Sequence, residues 1–187
     1  MLRIALPNKG RLAEGARTLL ASCSTPVTEG MVVRTHSARA RAARRQVVEL
    51  LLSEHEGDCP TCDRGGDCEL RALAEEMGIA FVPYAGAKAR AHLDETTPAL
   101  VRDNGKCIKC RRCVSVCNEV QGVGALFPQG RGFQTVIGPA FTRDLDSVAC
   151  VQCGQCAAIC PVGAIIEKSA IPAVWRAIED PALHVVV

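Results

Sequence analysis

The chain has 187 residues, a formal net charge of +2, a hydrophobic content of 48% and an aromatic content of only 3%. So small a charge does not imply a nucleic-acid partner, and no stretch approaches the ~20 apolar residues of a membrane span. Large aromatic anchors for a core are scarce, whereas cysteines number 12. Small domains with thin cores need a staple, either disulfides or metal. "MLRIALP" is no basic-then-apolar leader, so the expected setting is the reducing cytoplasm, which favours metal.

Residues 2–6 (LRIAL) read as a short strand, and 11–22 as a helix with Leu12, Ala16, Leu19 and Leu20 on one face. "STPVTEG" at 24–30 is turn chemistry, punctuated by Pro26 and Gly30. Ser37 is the expected N-cap of a helix running from 38 to about 54. The basic run "RTHSARARAARR" (34–45) has no interleaved aromatics and leads into "VVELLL". It reads as the solvated face of an amphipathic helix, not as a nucleic-acid patch. At His55 the periodicity stops, and "HEGDCPTCDRGGDC" brings Gly, Pro and Asp with three cysteines. A helix over 69–77 follows, closed by Gly78. Residues 79–105 are loop-rich, with Pro83, Gly86, Pro98 and Gly105. Two cysteine runs come next, separated by strand-like "GALFP" and "FQTVIG". A short helix near Pro172 carries Trp175 and Ile178, and strand-like "HVVV" follows it.

The two runs, "CIKCRRCVSVC" (107–117) and "CVQCGQCAAIC" (150–160), share the spacing C-x2-C-x2-C-x3-C. They align through Gly124–Ala125 and Gly163–Ala164 once four residues are removed from the first repeat. A duplicated half of this kind predicts a pseudo-twofold unit with two metal centres. Thiolates at steps of three wrap a loop around a compact object the size of a cubane, which is how a [4Fe–4S] cluster is gripped. A zinc ribbon instead wants two well-separated C-x2-C pairs. The runs resemble the bacterial two-cluster ferredoxins, in which a proline follows the fourth cysteine; Pro161 obeys this and Asn118 departs from it. The resemblance implies crossed ligation, because in those proteins the fourth cysteine of each run serves the other run's cluster. One cluster then takes Cys107, Cys110, Cys113 and Cys160, and the other takes Cys150, Cys153, Cys156 and Cys117.

His55, Cys59, Cys62 and Cys68 give H-x3-C-x2-C-x5-C. From spacing alone a zinc site is a fair rival here, and a histidine at a helix end can be merely structural. "HEGDCPTCDRGGDCEL" resembles the histidine-plus-three-cysteine segment shared by iron-only hydrogenases, the large iron–sulfur subunit of NADH dehydrogenase (complex I) and related formate dehydrogenases. That likeness extends from about Cys23 to Val187, through "CSTPVTEGMVV", "CGQCAAICPVGAIIEK" and "VWRAIEDPALHVVV". It implies a third [4Fe–4S] cluster on His55, Cys59, Cys62 and Cys68, at a different and higher potential than an all-cysteine one. In this family a [2Fe–2S] domain normally comes first, and Cys23 matches its last ligand. The preceding 22 residues hold no other cysteine, so no [2Fe–2S] cluster is expected. The opening "MLRIALPNKGRL" looks instead like the N-terminus of ATP phosphoribosyltransferase, and is read as a junction, a truncation or a coincidence.

The implied fold is α+β: a histidine/cysteine-ligated segment with helices, then a bacterial-type two-[4Fe–4S] ferredoxin-like domain. The expected divisions are a remnant or junction over 1–30, the histidine/cysteine segment over 31–82 and a linker over 83–105. The ferredoxin-like domain covers 106–170, and 171–187 leads toward a catalytic domain. The implied function is a relay of single electrons for a hydrogenase-type oxidoreductase, or alternatively for complex I or formate dehydrogenase. A zinc-stapled interaction module is the rival of another class. The expected partners are a redox protein or subunit and a catalytic oxidoreductase domain or subunit; no complete catalytic site is expected within these residues. Lys106, Lys109, Arg111, Arg112 and Lys168 flank the ligand runs and serve either to offset cluster charge or simply to keep the surface soluble.

Overall fold

The computed structural model describes residues 19–85, 88 and 91–186, with the exception of Cys23. The strand expected at 2–6 lies outside these residues, as does most of the helix expected at 11–22; residues 19–22 carry no helix. Helix α1 (Ala38–Glu54) begins where Ser37, in extended conformation, accepts a hydrogen bond from the Ala40 N–H at 3.2 Å. Val48 is fully buried on its inner face, and Leu51 and Leu52 pack beside it. Helix α2 (Glu69–Glu76) lies against α1 and buries Leu70 and Ala74. Gly78 ends it with φ +63°: its N–H bonds the Glu75 carbonyl, and the Ile79 N–H bonds that of Ala74. Only a residue without Cβ takes that left-handed turn freely.

Strands β1 (Leu93–Asp94) and β2 (Leu100–Asp103) follow. They fall within the stretch expected to be loop-rich, because β2 alternates Leu100 and Arg102 on its buried side and so hides its apolar pattern behind an arginine. Helix α3 (Arg112–Ser115) runs into a π-helical turn over Val116–Val120. Strands β3 (Phe127–Gln129) and β4 (Val136–Gly138) form an antiparallel pair in which Phe127 faces Gly138. Helix α4 (Gln155–Ala158) and strand β5 (Ile165–Glu167) come next, and β5 pairs with β2 to give the sheet order β1-β2-β5, antiparallel throughout. Helix α5 (Ile171–Glu179) starts with Pro172 in its first turn. Its Ile171, Val174, Trp175 and Ile178 are all exposed. Residues 184–186 of "HVVV" form no strand, and Val187 lies outside the described residues.

One core joins these elements. Leu100, Leu126, Leu145, Val162 and Ile165 pack with Cys113, Cys156 and Cys160, and the same cluster reaches Val48 and Leu70. With few large side chains available, cysteines occupy positions that aliphatic residues fill elsewhere. No helix of the described residues is long and apolar enough to cross a membrane.

Candidate metal centres

The two cysteine runs share a backbone device. Lys109 and Arg111 have φ of 57° and 62°, and the matching Gln152 and Gly154 have 54° and 74°. Holding a non-glycine residue left-handed costs on the order of 1–3 kcal/mol. The return is geometric: alternating handedness turns successive N–H groups to one side, the concave arrangement that cradles anionic groups such as iron–sulfur sites. Accordingly the Lys109 N–H points at Cys107 Sγ at 3.4 Å, and the Ala125 N–H at Cys117 Sγ at 3.4 Å. The four extra residues of the first repeat sit around the π-helical turn and Gly122, which has φ +67°. Where the second run has Pro161, Asn118 uses its amide to donate to the Leu126 carbonyl at 3.2 Å.

Two hollows open beside the runs. Cys107, Cys110, Cys113 and Cys160 line the first, about 390 Å³ with its mouth included. Cys117, Cys150, Cys153 and Cys156 line the second, about 360 Å³ on the same basis. Each hollow therefore draws three thiols from one run and the fourth from the other. Among the described residues no three or more His, Cys, Asp or Glu side chains close on a single ion position. A lone zinc ion holds its sulfurs ~2.3 Å away at one point, whereas a [4Fe–4S] cluster takes its thiolates at the corners of a cubane. Burial, reinforced by neighbouring thiols, pushes Cys113 up to about 12, and burial likewise raises Cys107 and Cys156 to about 11. Burial thus favours the neutral thiols, and to act as ligands they would have to ionise beside a cationic core.

The third donor set surrounds the α1–α2 loop. His55 caps α1 and is buried, Cys59 and Cys62 lie in the turn that follows, and Cys68 is the residue before α2. His55 Nδ1 lies 3.0 Å from the Lys106 carbonyl. A carbonyl only accepts, so Nδ1 carries the proton. Burial lowers the His55 pKa, which keeps the ring neutral and leaves the Nε2 lone pair available as a ligand. Gly65 lets the loop close on itself: a Cβ there would stand 2.6 Å from the Cys59 carbonyl oxygen and 3.0 Å from that of Cys62.

This loop is fastened to the cysteine runs. Arg64 donates to the Cys160 carbonyl at 2.7 Å, and the Glu69 N–H to that of Pro161 at 2.9 Å. Arg112 grips the Glu69 carboxylate with both nitrogens, at 2.7 and 3.0 Å, and holds that carboxyl below its ordinary range. The Glu56 N–H bonds the Gly105 carbonyl at 3.0 Å, in parallel with the His55 contact one residue on. Gly163 completes the fastening, since a Cβ there would come within 2.9 Å of Cys62 Sγ. Gly163→Ala is thus expected to cost about 1–3 kcal/mol by overpacking and to lower iron retention at the histidine-containing set. Denaturation midpoints and metal content check this, and an unchanged pair of values would mean that the contact yields freely.

The flanking basic residues divide. Lys106 pairs with Asp58 and Asp103, each at 3.7 Å, and Lys109 with Glu54 at 2.5 Å. Lys168 donates to the Glu95 and Thr97 carbonyls at 2.6 and 3.3 Å. Arg111 lines the first hollow. So does Arg102, which sequence reasoning passed over; the only local signal was a charged residue in an otherwise strand-like "ALVRD". Cys23 lies outside the described residues.

Residues 44–83 match the NADH-ubiquinone oxidoreductase-G iron–sulfur binding region, and residues 106–164 match the 4Fe–4S dicluster domain. The chain is 47% identical to the NADP-reducing hydrogenase subunit HndD of Solidesulfovibrio fructosivorans, over 93% of its own length and 30% of that protein's. It is 37% identical to the mitochondrial NADH-ubiquinone oxidoreductase 78 kDa subunit of Candida albicans, over 80% of this chain and 21% of that one. The chain thus spans less than a third of these curated relatives. A crystal structure of an NAD+-reducing [NiFe]-hydrogenase in the H2-reduced state superposes with a TM-score of 0.74 at 32% identity, covering 80% of this chain and 64% of that one. The likeness to iron–sulfur subunits of hydrogenases and of complex I, expected from the motifs, is thereby shown.

Proposed function

We propose that this chain is an electron-transfer module holding three [4Fe–4S] clusters, on His55/Cys59/Cys62/Cys68, Cys107/Cys110/Cys113/Cys160 and Cys150/Cys153/Cys156/Cys117. The observation that carries the reading is the lining of the two hollows, each with four thiols and backbone N–H groups turned toward sulfur. A bound [4Fe–4S] cluster supplies one-electron redox chemistry whose potential follows ligand type, burial and hydrogen bonds to sulfur. The chain's own residues supply the thiolates, the neutral imidazole of His55 and a largely apolar enclosure. They also fasten the histidine-containing loop to the ferredoxin-like part through Arg64, Glu69 and Arg112, which holds successive centres at fixed separation.

The relay serves a hydrogenase-type oxidoreductase, as the similarity to the NADP-reducing hydrogenase subunit supports. Service in a complex I-type enzyme is the second reading, favoured by the match over residues 44–83. The catalytic domain or subunit and a redox partner are the proposed interactors, in the cytoplasm.

Anaerobically purified protein is expected to contain about twelve iron and twelve acid-labile sulfide per chain, four of each per cluster. Stoichiometric zinc without sulfide would establish the zinc-stapled module instead. About two further irons with a [2Fe–2S] spectrum would bring Cys23 into a fourth centre.

A further inference from the structure

Arg102 occupies a buried position on β2, in register with Leu100, and its side chain is 3% exposed while that of Asp94 is 0% exposed. Its Nη1 donates to Asn104 Oδ1 at 2.8 Å and to the Ile137 carbonyl at 3.3 Å, and Nη2 to Asp94 Oδ2 at 3.4 Å. Asp94 is meanwhile occupied by the Thr96 N–H, the Thr96 hydroxyl and the Leu145 N–H. The guanidinium fits only because residue 138 is glycine: a Cβ there would lie 2.8 Å from Nη1. Nε has no partner. Yet Arg102 lines the hollow shared by Cys107, Cys110, Cys113 and Cys160.

A buried donor left without an acceptor costs about 1–3 kcal/mol, and a buried ion pair is often no more stabilising than apolar side chains of similar volume. Packing alone therefore does not account for an arginine here. A polarisable, anionic acceptor inside the hollow does, since it satisfies the Nε–H that Asp94, Asn104 and Ile137 leave unmet. The second hollow has no Lys or Arg in its lining and presents Gln121 and Gln155 instead.

We infer that Arg102 tunes the centre in the first hollow, donating its Nε–H to a sulfur of the bound cluster and so favouring the reduced form there over the centre in the second hollow. A hydrogen bond and a positive charge at sulfur both stabilise an added electron. The inference rests on reading that hollow as a cluster site.

The test uses the loaded full chain. Arginine labelled with 15N at Nε alone is expected to give a hyperfine coupling on the reduced cluster of the first hollow. Arg102→Lys, which keeps a cation for Asp94, is expected to abolish that coupling and to shift this cluster's potential downward, leaving that of the second hollow unmoved. If the labelled wild-type protein shows no such coupling, the inference fails, whether or not the lysine variant folds. If the coupling and the potential survive Arg102→Lys, Arg102 is a structural residue only. Absence of iron and sulfide from the wild-type protein would instead overturn the cluster reading itself.

Discussion

Replacing Cys117 with alanine is expected to remove the cluster of Cys150, Cys153 and Cys156, and to spare that of Cys107, Cys110 and Cys113. The altered residue belongs to the other run, so the outcome is opposite to what sequence proximity suggests. The reason is placement. Cys113 sits within α3, and the π-helical turn that continues it carries Cys117 away from its own run into the second hollow beside Cys150, Cys153 and Cys156. There its sulfur also accepts the Ala125 N–H at 3.4 Å, so the variant leaves a donor unmet as well as a ligand missing. Iron is expected to fall by about four per chain, and electron paramagnetic resonance should show the signal of the first-hollow cluster retained. Loss of the Cys107 cluster with retention of the other would mean that each run is an independent site.

Stripping the clusters is expected to unfold the span from 107 to 160 and to free the loop from 55 to 68. Metal binding in small metal-stapled domains supplies on the order of 10 kcal/mol, against a net domain stability of about 5–15 kcal/mol. Here the dependence is stronger than core size alone suggests, because Cys113, Cys156 and Cys160 are themselves core residues. Without a cationic core the left-handed strain at Lys109, Arg111 and Gln152 has no offset. Limited proteolysis of chelator-treated protein should cut within both spans, whereas α1, which buries Val48 against α2, should resist longest. Protection of 107–160 in metal-free protein equal to that of the loaded form would refute this dependence.

What the sequence disclosed was whatever is fixed locally. Helix α1 begins at the expected cap because Ser37 needs only Ala40 to satisfy it, and α2 ends at Gly78 because the left-handed turn needs only glycine. The ligand types and spacings of the cysteine runs are likewise local, and their repeat is visible in letters. Strands β1 and β2 were not legible, since β2 finds its partner in β5, where Leu100 faces Glu167 far along the chain. Arg102 is illegible in the sequence for the same reason: its surroundings, Asp94, Asn104, Ile137 and a hollow, come together only after folding. Lys106 is adjacent to Cys107 in sequence, but its flexible stem carries the ammonium to Asp58 and Asp103 and its carbonyl serves His55. Gly163 is visible in the sequence as half of a repeated pair, whereas the space it leaves is the space Cys62 occupies.

The division of thiols between the hollows also has a consequence in time. A ribosome delivers the chain from its N-terminus at about 5–20 residues per second. Cys107, Cys110 and Cys113 therefore emerge and wait on the order of seconds before Cys160, which completes their hollow. During that interval the nascent chain presents three closely spaced thiols that can capture zinc or oxidise. The second hollow has the reverse schedule, its outlying Cys117 arriving first and its triplet later. The second hollow is complete once Cys156 has emerged and the first only at Cys160, so delivery of the proposed clusters to either would follow synthesis of the second run rather than accompany that of the first.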